Sequence, residues 1–389
     1  MKNSRIYLSP PHMTGNEQMY INEAFESNWI APLGKNVDMF EKEIAEYVGA
    51  KGAVAVSSGT AAIHLALSLL DVKRGDHVFC STFTFVASAN PILYKGAEPI
   101  FIDSEPETWN MSPQALERAL YDAYKERKLP KAVIMANIYG QSGKMKELMA
   151  LCDHYQVPII EDAAESLGST YHEKHSGTFG EFGVYSFNGN KIITTSGGGM
   201  LVSNDLKKLE KARFLATQAR DPAVYYQHHE VGYNYRMSNI LAGVGRAQLK
   251  VIEDRVTAKR EVFERYNYLL SDVAGIDFMA ELPQTRSNRW LTVFTMNPLE
   301  IATEPIEVLK AMAEQNIEAR PVWKPLHMQP LYLNTPYYSH LENEDVSKQL
   351  FETGICLPSG SNLLEIEQVR VVNCLKESVK GAKRKEGIF

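Results

Sequence analysis

Between about residues 50 and 205, short uninterrupted apolar runs alternate with stretches of helical period. Val54-Ala55-Val56, His77-Val78-Phe79-Cys80, Pro99-Ile100-Phe101-Ile102-Asp103, Ala132-Val133-Ile134-Met135, Val157-Pro158-Ile159-Ile160, Val184-Tyr185-Ser186-Phe187 and Met200-Leu201-Val202-Ser203 read as strands. Helical patterns fall between them: over 60–70 with Ile63, Leu65 and Leu67 apolar, near 86–94, from Ser112-Pro113 to about 126, and over 145–155. Proline suits the first turn of a helix, where its missing N–H is not needed. Continuous apolar strands alternating with helices predict an α/β fold with a mainly parallel sheet covered on both faces. Such sheets bind ligands beyond the C-terminal ends of their strands. Asp103, Asp162 and the turn Ser58-Gly59-Thr60 fall at such ends.

After residue 237 the pattern changes. Amphipathic stretches over 237–254 and 256–271 lead to a strand over 290–296, a helix over 305–315 and a mostly helical segment over 362–379. The expected organisation is a large domain over 1–250, a smaller C-terminal α/β domain over 251–380, and a solvated, disordered tail over 381–389. Two helical patterns within 15–48 are expected to pack on the smaller domain or on a partner.

Composition narrows the function classes. The 389 residues carry 41 basic and 47 acidic side chains, a net charge of -6. This gives no general electrostatic reason to bind nucleic acid or an anionic membrane. No apolar run approaches the roughly 20 residues of a membrane span, and the N-terminus lacks the apolar core of a signal peptide. Cys80, Cys152, Cys356 and Cys374 are scattered in largely apolar contexts, the pattern of buried reduced thiols rather than of a disulfide frame or zinc site. A cytoplasmic protein is expected.

The candidate chemistry centres on Lys191. It follows Ser186-Phe187-Asn188-Gly189-Asn190 and precedes a small-residue tract ending in Gly197-Gly198-Gly199, while Glu161-Asp162-Ala163-Ala164-Glu165 closes an apolar run upstream. Pyridoxal phosphate needs a Schiff-base lysine, a carboxylate for its pyridinium nitrogen and small donors for its phosphate, and these residues supply all three. Each has an ordinary alternative. Asp162 suits a helix N-cap, Lys191 alone is a solvated lysine, Ser58-Gly59-Thr60 is a helix start that also suits phosphate, and Phe85 is either a ring-stacking residue or a core aromatic. The glycine triplet lacks the spacing of a dinucleotide fingerprint. His228-His229 are too divergent to chelate one metal, and His64 reads as a satisfied, partly buried residue.

Taken together, Ser57-Ser58-Gly59-Thr60-Ala61-Ala62, Glu161-Asp162-Ala163-Ala164-Glu165, Ser186-Phe187-Asn188-Gly189-Asn190-Lys191 and Gly232-Tyr233-Asn234-Tyr235-Arg236 resemble the motifs of DegT/StrS-type sugar-nucleotide aminotransferases, of PLP fold type I. The resemblance runs from Tyr7 to about Leu375. Asn188-Gly189 stands where many members have His-Pro. With Ser9-Pro10-Pro11-His12-Met13 and Ser287-Asn288-Arg289-Trp290, this departure resembles the subgroup acting on UDP-4-keto-6-deoxy-N-acetylglucosamine in exopolysaccharide or glycosylation pathways.

The resemblance implies that Lys191 bonds the cofactor, Asp162 pairs with its ring nitrogen, Gly59, Thr60 and Ser186 hold its phosphate, and Phe85 covers the ring. Glu165 stands where relatives often have a glutamine touching the cofactor hydroxyl. Asn234 would reach the phosphate in a neighbouring subunit, so a homodimer with shared sites is implied. Arg220, Arg236, Arg289, Arg320 and His327 are candidates for holding the substrate diphosphate or the donor carboxylate, for which the arginine fork is suited. The implied substrates are L-glutamate and a UDP-keto-sugar, with no nucleic-acid or membrane partner. Two rivals share the fold: a PLP sugar dehydratase, which replaces the Schiff-base lysine, and a non-enzymatic regulator.

Overall fold

All seven predicted apolar runs enter one sheet. In the computed structural model, which describes residues 4–380, its eight strands lie in the order Gly52–Val56, Gly199–Ser203, Phe182–Ser186, Ile159–Asp162, Ala132–Ala136, His77–Ser81, Glu98–Ile102 and Tyr337–Tyr338. Neighbours pair in parallel except around Gly199–Ser203, which runs antiparallel to both of its partners. The period-two alternation of side chains divides the core. Val78, Cys80, Ile134 and Ile160 pack toward the Gly59–Leu69 helix, while Phe79, Val133 and Met135 pack with Leu116 and Leu148 of the Pro113–Lys125 and Met145–Tyr155 helices. The tail expected over 381–389 lies outside the described residues.

A second sheet, wholly antiparallel, orders Ile276–Phe278, Thr292–Met296, Gly354–Leu357 and Arg320–Pro321. Its core joins Phe294, Val308 and Val371 with Ile6 from the N-terminal arm. The Ile252–Leu269 helix connects the two bodies: Ile252 and Val256 pack in the large core, Val262 and Tyr266 in the small one. Leu326, Tyr332 and the Tyr337–Tyr338 strand return to the large sheet.

Two expectations change. The N-terminal helices Glu17–Glu26 and Lys35–Val48 pack on the Asn239–Leu249 helix, on the large body rather than the smaller domain. The single helix expected over 86–94 is divided into a short turn, Val86–Ser88, and a helix, Asn90–Tyr94. Pro91 accounts for the break, since it lacks an N–H and crowds the residue before it. Among the described residues no helix is long and apolar enough to cross a membrane.

Candidate active site

Lys191 rides on the loop that joins two adjacent antiparallel strands, Phe182–Ser186 and Gly199–Ser203. The loop is closed at its base, where the Phe187 N–H donates to the Gly198 carbonyl at 2.9 Å and the Thr195 N–H to the Phe187 carbonyl at 2.9 Å. Phe187 and Ile193 anchor it in the core. Gly199 permits the close approach of this loop to the Ser58 turn: a Cβ there would lie 2.4 Å from the Ser58 carbonyl carbon. The Lys191 ammonium is thus carried inward. It lies 4.1 Å from the centroid of the Trp290 ring and 3.5 Å from Glu165 Oε1.

Asp162 ends the Ile159–Asp162 strand and faces the same cavity. Its Oδ2 accepts from Ser88 Oγ at 2.7 Å and its Oδ1 from the Ala164 N–H at 3.1 Å. Ser88 is oriented in turn by Thr84, at 2.9 Å. Burial raises the Asp162 carboxyl above its usual range, opposed by these hydrogen bonds and by the Lys191 charge. Glu165 is also buried and raised, with Lys191 as the largest opposing influence. Its Oε2 accepts the Tyr139 N–H at 2.8 Å, holding that residue at a left-handed φ of 52°. Positive φ is uncommon for a bulky side chain and is tolerated where the surroundings enforce it.

At the other end of the cavity the Gly59–Leu69 helix begins. Ser58 Oγ accepts from the Ala61 N–H at 3.0 Å, and the Ser58 carbonyl from the Ala62 N–H at 3.1 Å. The preceding amides, of Gly59 and Thr60, belong to the first turn and have no intrahelical acceptor. They line the cavity with Ser186, as anion donors at a helix N-terminus would. The cavity encloses about 340 Å³. Its donor set fits pyridoxal phosphate: an amine for the carbonyl, a phosphate-binding helix start, and a buried carboxylate that, among the described residues, has no ion-pair partner of its own and so suits a cationic ring nitrogen.

A second cavity, of about 870 Å³, adjoins the first and shares Asn190, Trp290 and Trp323 with it. Its wall is built from Tyr7 to Pro11 of the N-terminal arm, from Glu318 to Lys324, and from Cys356. Tyr139 stacks between Trp290 and Trp323, with near-parallel rings 6.3 and 6.4 Å away. Phe85 is half exposed, packs on Trp323 at 5.4 Å and lines the first cavity.

Sequence reasoning brings together Lys191, Asp162, Glu165, Gly59, Thr60, Ser186 and Phe85, all of which line the first cavity. Asn234 and Arg220 instead line a shallow groove with Pro32 and Leu33. Arg236 borders that groove, but its guanidinium is held by Glu41 at 2.6 Å and by the Ala55 carbonyl at 3.0 Å, which ties it to the edge strand. Arg289 is buried over Phe263 and donates to the Met279 carbonyl. His327 bridges Thr82 and Asp345 and stacks on Tyr337. Of the five substrate candidates, Arg320 alone lines the second cavity, where Glu318 lies 3.0 Å from it. Trp290, Ser88, Tyr139 and Trp323 carried no role in the sequence reading. Only the Ser287-Asn288-Arg289-Trp290 tract gave a signal, and it marked Trp290 without showing what it touches.

Fold and cavity together define an α/β transferase of the pyridoxal phosphate type. The chain belongs to the DegT/DnrJ/EryC1/StrS aminotransferase family, whose sequence profile matches residues 11–376, and it is a pyridoxal-phosphate-dependent enzyme. It is 63% identical over 371 residues to EpsN of Bacillus subtilis (strain 168), provisionally named a pyridoxal phosphate-dependent aminotransferase, covering 95% of each chain. It is 36% identical to the GDP-perosamine synthase of Vibrio cholerae, covering 95% of this chain and 98% of that one. Among solved structures it resembles a DegT DnrJ EryC1 StrS aminotransferase from Brucella abortus, with a TM-score of 0.86 at 27% identity, covering 94% of this chain and 95% of that one.

Proposed function

We propose that the chain moves an amino group from L-glutamate to the C4 ketone of a UDP-4-keto-6-deoxy-N-acetylhexosamine, giving UDP-4-amino-4,6-dideoxy-N-acetylglucosamine. The observation that carries this reading is the junction of the two cavities at Trp290, beside Lys191. The first has the donor set for the cofactor; the second, larger and partly aromatic, has room for a nucleotide-linked sugar. The similarity to a GDP-perosamine synthase supports a nucleotide-sugar substrate.

When bound, pyridoxal phosphate supplies an electron sink for charge developing at the donor's α-carbon. The protein's residues do the rest. Lys191 takes the proton from that α-carbon and later returns one to the sugar's C4, acting as base and then acid. Asp162 keeps the ring nitrogen cationic, because opposite charges favour each other's charged form. Gly59, Thr60 and Ser186 anchor the phosphate, Phe85 covers the ring, and Glu165 faces the hydroxyl side. Arg320 is the proposed contact for the diphosphate or the donor carboxylate. In the proposed homodimer Asn234 and Arg220 serve the partner's site, which accounts for their place on an open groove. The enzyme is proposed to work in the cytoplasm, in exopolysaccharide synthesis or glycosylation.

The test is a panel of 4-keto sugars linked to UDP, GDP and dTDP, with one 3-keto sugar, each assayed with glutamate and followed by NMR of the product. The UDP-linked N-acetylated 4-keto sugar should have the highest kcat/KM. A tenfold or greater preference for another member, a difference of about 1.4 kcal/mol, would replace the proposed substrate.

A further inference from the structure

Lys259 lies in the Ile252–Leu269 helix with only 2% of its surface exposed. Its ammonium donates to three neutral oxygens: the Ser359 carbonyl at 2.7 Å, the Trp290 carbonyl at 3.0 Å and Ser9 Oγ at 3.2 Å. Three donors meet three acceptors, which is the full capacity of the group. Among the described residues it forms no ion pair with a carboxylate. Burial pushes its pKa down to about 7. An unpaired buried cation is costly, so this placement calls for a reason.

The three acceptors belong to separate segments: Ser9 of the N-terminal arm and Trp290 of the shared wall line the cavities, and Ser359 lies in the turn after the Gly354–Leu357 strand. The arm and the turn are joined again by the Ser359 N–H, which donates to the Leu8 carbonyl at 2.6 Å. Two of the clamped residues then converge on the residue preceding Lys191. Trp290 Nε1 donates to the Asn190 carbonyl at 2.8 Å, and Ser9 Oγ lies 3.3 Å from the same oxygen. The Trp290 ring in turn lies 4.1 Å from the Lys191 ammonium.

We propose that Lys259 is a positioning residue for Lys191: its three hydrogen bonds clamp arm, wall and turn together, and so fix the Asn190 carbonyl and the Trp290 ring against which Lys191 is held. This inference rests on the reading of Lys191 as the lysine that bonds the cofactor. Lys259→Met leaves an unbranched side chain one atom shorter and removes every donor. Glutamine keeps two N–H groups.

In holoprotein, Lys259→Met should retain the cofactor but shift the pH midpoint of the lysine-bound cofactor's absorbance by about half a unit or more. It should also slow the glutamate half-reaction about tenfold, with Lys259→Gln in between. A general loss of stability would leave the midpoint in place. In cofactor-free protein, hydrogen exchange read by mass spectrometry should quicken in the peptides holding Leu8 and Ser359. Should Lys259→Met fail to fold, Ser9→Ala, which removes one acceptor, must produce the same changes at smaller amplitude. A wild-type midpoint and half-reaction rate in the folded variants would overturn the proposal. Wild-type exchange at Leu8 and Ser359 would overturn the clamp itself, whatever Lys191 does. A wild-type protein without a borohydride-sensitive absorbance would instead overturn the Lys191 reading.

Discussion

The two cavities share a wall at Trp290, yet they are assembled in different ways. The first cavity, proposed for the cofactor, draws its polar groups from strand ends, a helix start and a loop of the eight-stranded sheet's body: Ser58 to Thr60, Asp162 and Glu165, Ser186 to Lys191. The larger cavity is built from the arm at Tyr7 to Pro11, from Trp290 and from Arg320 to Lys324, which are far apart in the chain. The first places two buried carboxyls and an amine together. The second offers aromatic faces beside a few charged groups at its edge. The groups proposed to carry the chemistry sit at strand ends and a helix start or, for Lys191, on a loop closed at its base by backbone hydrogen bonds. The second surface is gathered from several segments, and under the proposed function it is the one that meets the nucleotide sugar.

The largest expected effect tests whether the cofactor cavity acts as a unit. Lys191→Ala should lose turnover by at least about a thousandfold, together with the absorbance that borohydride removes from the wild type. Substantial residual turnover would break the assignment. Asp162→Asn should keep most of its cofactor, still held by the phosphate, but slow the glutamate half-reaction about a hundredfold, roughly 2.7 kcal/mol of barrier. A normal rate would remove Asp162 from its part in the electron sink.

Trp290→Leu probes the shared wall. Loss of the ring next to Lys191 should lower kcat about tenfold, roughly 1.4 kcal/mol, between the values for an exposed and a desolvated cation–π contact. KM should rise more for the keto-sugar than for glutamate, because Trp290 lines both cavities. Equal changes for the two substrates would mean that the second cavity does not bind the sugar nucleotide.

The smallest effect is a pH dependence. Burial raises the carboxyls of Asp162 and Glu165 in the folded chain. A carboxyl raised above its unfolded value favours folding at low pH, and that contribution is lost as pH rises through the folded value. A bound pyridinium reverses the balance at Asp162 by favouring its ionised form. The gain in Tm on adding cofactor should therefore grow as pH rises above the ordinary carboxylate range, and grow less in Asp162→Asn. The phosphate titrates in both proteins, so the difference between them isolates the carboxyl. Identical pH dependence would mean that Asp162 does not meet the ring nitrogen.

Much of the cofactor cavity was legible because its residues sit in short local patterns. A strand that ends in Asp162, and a helix that opens at Ser58-Gly59-Thr60, can be read from hydrophobic period and capping chemistry alone. Their expected partners did come together around Lys191. Ser88 escaped notice because Pro91 breaks the expected helix and turns the serine toward Asp162. Arg236 and Arg289 looked suitable for a diphosphate, since an arginine's charge is visible in sequence while its partner is not. Glu41 lies 195 residues from Arg236 in the chain, yet holds its guanidinium.

The sequence by itself determined the alternating α/β order, the strand-end acid, the Ser58-Gly59-Thr60 turn that opens a helix and the lysine between two strands, because these depend on neighbours within a few residues. Only the tertiary structure decided what stands beside that lysine. Trp290 reaches it from the smaller body, Glu165 from the next strand end, and the arm from the far terminus. The same holds for Lys259, whose three acceptors lie 31, 100 and 250 residues away. A helical lysine in a charged stretch reads as solvated, and nothing in its local pattern indicates burial. Its role follows from desolvation and from long-range closure of the chain, neither of which is encoded in a local period.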